Sequence, residues 1–302
     1  MEMGAIQTLP EKIITREFET SNEGIRSFQQ AMIQLQAPLF REMPWRVDIS
    51  AYAVWISESM LQQTQVARVI PKFESFIRAF PAPDALAAAA TSDVLEAWQG
   101  LGYNRRALAL KRAAEIISHE YGGVLPKTRD QLIQLPGIGP ATSAGIMAFA
   151  YDKPATYLET NVRSVFIHHF YRDEDGIKDS DVAKLVEQAC PSKRIRQWYW
   201  GLLDYGAYLK KNVVNPGRKS ATYAKQSKFE GSYRQKRSFL MREVLADECA
   251  TTKVLMQKLN DFELREARDL LSEQEVQDIL EDLARDGFVS HDAKTDTWEI
   301  AN

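Results

Sequence analysis

The spacing of apolar positions along the chain is almost entirely helical. Ser50 is a capping residue type ahead of an apolar periodic run and predicts a helix over 51–69. Pro71 opens a second helical stretch that ends near Phe80. Short helices are expected over 85–90 and 92–98, then a long amphipathic one over 105–121, stopped by Gly122-Gly123. Further helical patterns cover 128–134, 141–150, 162–170, 179–189 and 194–209. Residues 212–231 are poor in apolar side chains, contain Pro216-Gly217, and read as an extended arm or linker. Beyond it, 237–247, 252–259 and 273–286 predict three helices, and 287–291 with 296–300 predict a β-hairpin. That order is the order of a winged helix. The first 23 residues are polar and expected to be loosely ordered.

Between two of these helices lies Leu135-Pro136-Gly137-Ile138-Gly139-Pro140. Gly137 and Gly139 permit positive φ and leave backbone N–H groups uncovered. A helix starts there, so its dipole points the same way. Such a turn can hold a phosphate without reading sequence, although Gly-x-Gly between helices is often only a turn. Glu159 follows twenty residues after Gly139, just before another helix. A phosphate grip beside a carboxylate suggests chemistry on a nucleotide. A second carboxyl is Glu58, which shares one face of the 51–69 helix with Val54, Leu61 and Gln65. A glutamate on a partly apolar stripe is either a buried ion pair or an acid with raised pKa, able to donate a proton near neutral pH.

Composition narrows the class. The 302 residues suffice for two domains. No apolar run reaches membrane-span length, the N-terminus lacks a signal-peptide pattern, and Cys190 and Cys249 cannot make a disulfide framework. A cytoplasmic protein associated with the nucleoid is expected. The net charge of −3 argues against a nucleic-acid partner until its distribution is considered. Residues 234–302 carry 10 Lys+Arg and 16 Asp+Glu, a net of −6, which leaves +3 for the rest. Lys210, Lys211, Arg218, Lys219, Lys225 and Lys228 cluster among Tyr208, Tyr223 and Tyr233, a composition that suits a phosphate backbone or, equally, a solvated loop. The four histidines are scattered and read as structural, and no metal motif is present.

From about Pro44 to about Leu209 the chain resembles the helix-hairpin-helix DNA glycosylases, and within them the adenine glycosylase (MutY) branch. The likeness rests on Pro44-Trp45-Arg46, on Trp55-Ile56-Ser57-Glu58-Ser59-Met60-Leu61-Gln62-Gln63-Thr64-Gln65-Val66, on Gly100-Leu101-Gly102-Tyr103, and on Leu135 to Gly139 with Glu159-Thr160-Asn161-Val162. The resemblance implies a mainly α fold of two helical subdomains with a cleft over 24–211, to which the residue pattern itself adds a basic arm over 212–233 and a winged-helix-like domain over 234–302. It implies double-stranded DNA with a mispaired or damaged base as partner, and a monomer. The general acid maps to Glu58, and the carboxylate that faces the sugar cation maps to Glu159. Arg46 and Leu61 match walls of the base pocket. Gln62, Gln63 and Tyr103 match residues that intrude into the helix, and Thr64 matches one near the orphan base. Pro136, Gly137, Ile138 and Gly139 match the phosphate hairpin, and by composition Lys210, Lys211, Arg218 and Lys219 are read as further phosphate contacts.

The chain departs from that pattern in four places, and it also lacks the lysine of bifunctional relatives. Glu159 stands where the family has aspartate, and Asn104 where it usually has a second tyrosine. Ala141 occupies the position of the Schiff-base lysine of bifunctional relatives, so base removal without strand cleavage is expected. No cysteine lies between Leu209 and Tyr233, so no iron–sulfur cluster is expected. The family's C-terminal Nudix-like sensor of 8-oxoguanine is replaced by the small acidic unit, for which DNA binding, protein contact and packing on the catalytic core all stay open. The sequence thus predicts a monofunctional DNA glycosylase acting on adenine opposite 8-oxoguanine or guanine. A mismatch uracil or thymine glycosylase, and a non-catalytic DNA-binding protein, remain as alternatives.

Overall fold

The computed structural model describes residues 8–224, 227–247 and 249–301; Lys225 of the basic cluster and the first seven residues lie outside this set. The helices run α1 (Leu9–Ile14), α2 (Asn22–Leu39), α3 (Pro44–Val47), α4 (Ala51–Leu61), α5 (Val66–Ala79), α6 (Pro83–Ala88), α7 (Thr91–Trp98) and α8 (Arg105–Tyr121). They continue with α9 (Arg129–Ile133), α10 (Pro140–Phe149), α11 (Thr160–Phe170), α12 (Asp179–Ala189), α13 (Ile195–Asn212), α14 (Tyr233–Ala246), α15 (Thr252–Arg265) and α16 (Glu273–Arg285). The strands are β1 (Ala250–Thr251), β2 (Val289–Asp292) and β3 (Thr297–Ile300). The chain divides into two compact units, one of residues 1–62 and 124–224, the other of 63–123 and 225–302.

The first unit packs α2 and α11 along α13, and α4 along α10. Within residues 8–23, where the polarity suggested loose order, α1 and the start of α2 are formed. Ser21 caps α2, accepting from the Gly24 N–H at 3.2 Å, and Ile25, Phe28, Met32 and Leu35 bury one helical face. Phe28 meets Phe166, Phe170 and Trp198 in the core. Phe18, between α1 and α2, lies edge-on to Phe28 and His169. His168 and His169 both bond backbone carbonyls of the N-terminal segment.

Two expected elements differ. The helix expected over 51–69 is two helices, broken at 62–65 where Gln63 adopts φ 55°, and Pro71 sits inside α5 instead of opening it. The start of the expected arm is folded: a 3-10 turn, Pro216–Lys219, packs on α11, and Ile177 exchanges backbone bonds with Lys219 and Ala221 at 2.9 and 2.8 Å. Residues 213–222 therefore belong to the first unit's body.

In the second unit α6 and α7 pack on α8 around the buried Trp98. The C-terminal stretch has the winged-helix order, with α14, α15 and α16 followed by the β2–β3 hairpin. The two-residue β1 completes an antiparallel sheet in the order β1-β3-β2. Trp298 anchors it, buried, stacked on His291 at 4.2 Å and donating to Thr252 Oγ1 at 2.9 Å. This part contacts the start of α8: Asn104 Nδ2 donates to Met241 Sδ at 2.9 Å, and Asp286 takes both Arg105 and Arg237 at 2.5 Å. Among the described residues no helix is long and apolar enough to cross a membrane.

Candidate active site

The turn between α9 and α10 is built as a helix start with nothing covering it. Leu135 and Ile138 are buried and hold it to the body, while Gly137 and Gly139 are exposed. Gly137 has φ 75°, whereas Gly139 is extended and serves as the N-cap residue, followed by Pro140 in the first helical turn. Pro136 is half-buried at the bend. No side chain caps α10, so its first amides face outward with the helix dipole behind them. Ala141 is exposed on that first turn and brings no amine to it.

Small residues from Ala141 to Gly145 occupy the first half of α10, which packs on α4, and the approach is close at Gly145. A Cβ at Gly145 would lie 2.9 Å from Glu58 Cδ, nearer still to Oε2, and 3.1 Å from Tyr157 Cε2. The Glu58 carboxyl therefore rests against bare helix backbone. The Tyr157 hydroxyl hydrogen-bonds it, and that ring is fixed edge-on to Phe149 at 5.1 Å and Tyr199 at 5.5 Å. Burial pushes Glu58 up to about 8; the Tyr157 hydrogen bond pulls the other way, and the negative charge of Glu159 adds to the rise. The residue as a whole is half-buried, while its carboxyl lies against Gly145.

Glu159 is the N-cap of α11. Its Oε1 accepts from the Asn161 N–H at 2.6 Å and the Val162 N–H at 3.1 Å. Burial raises its carboxyl, while Lys210, the two amides and Arg163 favour the charged form. Lys210 arrives there because α13 touches the start of α11 at Gly206, where a Cβ would lie 2.5 Å from Asn161 O. One turn on, Lys210 Nζ donates to Asn161 Oδ1 at 2.8 Å. Burial thus raises both carboxyls, Glu58 to about 8, and at Glu159 the two amides, Lys210 and Arg163 oppose the rise without cancelling it.

The other sequence-derived positions divide. Leu61 ends α4, half-buried, one turn beyond Glu58. Gln62 is exposed and donates to Thr142 Oγ1 on α10 at 3.0 Å. Gln63 and Tyr103 are exposed and share left-handed backbone, φ 55° and 50°, and Thr64 follows Gln63 in its bend. Arg46, expected to wall the base pocket, has its guanidinium committed elsewhere. It forms a two-point pair with buried Asp204 at 2.7 and 3.0 Å, and donates to Arg41 O at 2.9 Å. A buried aspartate needs that partner, so Arg46 holds α3 to α13. Two of the expected phosphate contacts are also committed: Lys210 as above, and Lys219, which caps the Arg172 and Glu174 carbonyls beside Asp175. Lys211 and Arg218 stay exposed.

Sequence reading missed Tyr157 and Gly145. A glycine inside an α-helix costs ~1 kcal/mol against alanine, and its presence mid-helix was the available signal of close approach. Among the described residues no group of three or more His, Cys, Asp or Glu could hold a metal ion. The chain's two cysteines lie at the end of α12 and just before β1, so the donor set does not fit a four-thiolate cluster.

Residues 56–192 match the HhH-GPD superfamily of base excision DNA repair proteins. The chain is 44% identical over 126 residues to the adenine DNA glycosylase of Mycolicibacterium smegmatis, covering 41% of this chain and 43% of that protein. It is 35% identical over 171 residues to the adenine DNA glycosylase of Buchnera aphidicola subsp. Acyrthosiphon pisum, covering 55% and 49%. The chain thus spans about half the length of these curated relatives. Its fold is similar to that of a thermostable thymine-DNA glycosylase, with TM-score 0.55 and 24% identity over 62% of this chain and 87% of that one. Endonuclease III, trapped as a covalent intermediate with DNA, gives 0.51 and 19% over 63% and 85%.

Proposed function

We propose that this chain, which carries an HhH-GPD superfamily domain, is a monofunctional DNA glycosylase that hydrolyses the N-glycosidic bond of a flipped adenine mispaired with 8-oxoguanine or guanine. The observation that carries this reading is the Glu58 carboxyl, seated against Gly145 and kept protonated near neutral pH by burial. Glu58 gives its proton to a ring nitrogen of the leaving adenine, so the base departs neutral. The sugar is left with oxocarbenium character, which the Glu159 carboxylate faces. Water adds at the anomeric carbon and gives up a proton to the Glu58 carboxylate, which restores the acid. The 136–139 turn grips a backbone phosphate, with Lys211 and Arg218 as further phosphate contacts. Gln62, Gln63 and Tyr103 fill the gap left by the flipped base, and Thr64 sits near the orphan partner. With Ala141 in place of a lysine no Schiff base forms and the product is an intact abasic strand. No cofactor takes part in this scheme.

The test is one incubation of the protein with duplexes carrying A:8-oxoG, A:G, U:G, T:G or hypoxanthine:T, each split before alkali. Release from the two adenine duplexes, with strand breaks only after alkali, is expected. Release of uracil or thymine in place of adenine would replace the substrate, and no release at all would leave a DNA-binding protein.

One prediction concerns Gly145. A methyl group there meets the Glu58 carboxyl directly, and it must move. Gly145→Ala should lower single-turnover excision by ~10²-fold, the scale for a reacting group misplaced by an ångström. Thermal stability should change little, because alanine's helix preference of ~1 kcal/mol offsets the crowding. Wild-type excision by the variant would mean the carboxyl does not act from that position.

A further inference from the structure

Two bends in the second unit carry the exposed left-handed residues Gln63 and Tyr103, and one side chain connects them. Arg106, in the first turn of α8, donates from Nη2 to Thr64 Oγ1 at 3.2 Å, to Gly102 O at 3.0 Å and to Leu101 O at 3.4 Å. Its guanidinium carbon lies 5.3 Å from the Trp98 ring centre and 5.6 Å from that of Tyr103. Thr64 Oγ1 itself donates to Leu101 O at 3.3 Å, and Trp98 Nε1 donates to Gly102 O at 3.1 Å.

The backbone needs such a brace. Gly100, Gly102 and Tyr103 have φ of 87°, 74° and 50°, and Gln63 has 55°. Side-chain-bearing residues persist in that region only where the surroundings hold them. A planar guanidinium can stack on rings while donating along its edge, which an ammonium cannot. Arg106 is half-buried, and burial lowers it to about 10, so it keeps its charge at neutral pH while tied to neutral carbonyl, hydroxyl and ring partners.

We propose that Arg106 is a positioning residue that locks the 63–64 bend to the 100–103 turn, so that Gln63 and Tyr103 enter the duplex as one preformed wedge. This rests on the glycosylase reading above. The role is to lower the cost of opening a stacked duplex, not to act on the glycosidic bond. Its loss should therefore fall on substrates that must be opened and spare those already open.

The experiment compares single-turnover adenine excision by wild type, Arg106→Lys and Arg106→Met. One substrate is an A:G duplex and the other has adenine opposite a tetrahydrofuran abasic analogue, with thermal melts to confirm folding. Both variants should lose ~10-fold or more on A:G and stay within about 2-fold on the pre-opened duplex. In a Tyr103→Ala background, adding Arg106→Met should cost no more than about 2-fold further on A:G, because the wedge is already gone. Should Arg106→Met fail to melt cooperatively, Arg106→Lys carries the same comparison. Equal losses on the two substrates, or a full additional loss in the double variant, would overturn the proposal. Wild type that releases adenine from neither duplex would instead overturn the glycosylase reading itself.

Discussion

Glu58→Gln is expected to lower single-turnover adenine excision by ~10²–10⁴-fold while duplex binding stays near wild type. Glutamine fills the same space against Gly145 and can still bond the Tyr157 hydroxyl, but it has no proton to give. The same change should alter stability with a defined sign. In the folded chain Glu58 holds its proton up to about 8, against an ordinary value of 4.5. Between those values the folded state binds more protons than the unfolded one, so stability falls as pH rises through the window, and the deficit is complete above its upper end. Glutamine removes that deficit. The variant's melting temperature should exceed wild type by more at about pH 9 than at about pH 5. A Glu58→Gln protein that excises adenine at the wild-type rate would remove this residue from the chemistry.

The second large effect is expected at Glu159, where one side chain holds two jobs. As the N-cap of α11 it satisfies two backbone amides, and as a charge it sits with Lys210 beside Asn161. Glu159→Gln keeps a carbonyl oxygen for the amides and removes the charge. Excision should drop by ~10²-fold, the order for a positioned electrostatic group in a site shielded from water. The cost in stability should stay below ~1 kcal/mol, since an acceptor remains at the cap. Glu159→Asp adds a separate comparison, because aspartate is itself a good cap but withdraws the carboxylate by ~1.5 Å. If Glu159→Gln leaves excision unchanged and lowers only the melting temperature, Glu159 is a cap and nothing more.

Local signals in the sequence were enough for the helix count around the hairpin, for the cap at Ser50 and for the winged-helix order at the C-terminus. Each of these depends on neighbours within a few residues. The bend at 62–65 was invisible because Val66 and Val69 continue the apolar period across it, with no Gly or Pro to mark the stop. What breaks the helix there is long-range, through Thr64, Leu101 and Arg106. The helix over 22–39 was missed because its apolar residues are diluted by glutamines and followed by Pro38, and only packing on α13 reveals its buried face. Lys210 and Lys219 read as part of a basic arm by composition. The close crossing of α13 and α11 at Gly206 turns Lys210 inward, and the 3-10 turn brings Lys219 to the carbonyls after α11. For the candidate site, the resemblance pointed to both carboxyls, whereas Gly145 and Tyr157, which give Glu58 its environment, are a matter of tertiary contact.

On the proposed reading Glu58 acts as a protonated acid. The most direct test is the pH dependence of single-turnover adenine excision by the wild-type protein from about pH 6 to about pH 9.5, under conditions where binding is saturated. The rate should hold steady near neutrality and fall on the alkaline side with an apparent pKa of about 8, as the Glu58 proton is lost. A rate that stays level or rises through about pH 9.5 would contradict it, because no group with the Glu58 titration could then be supplying the proton.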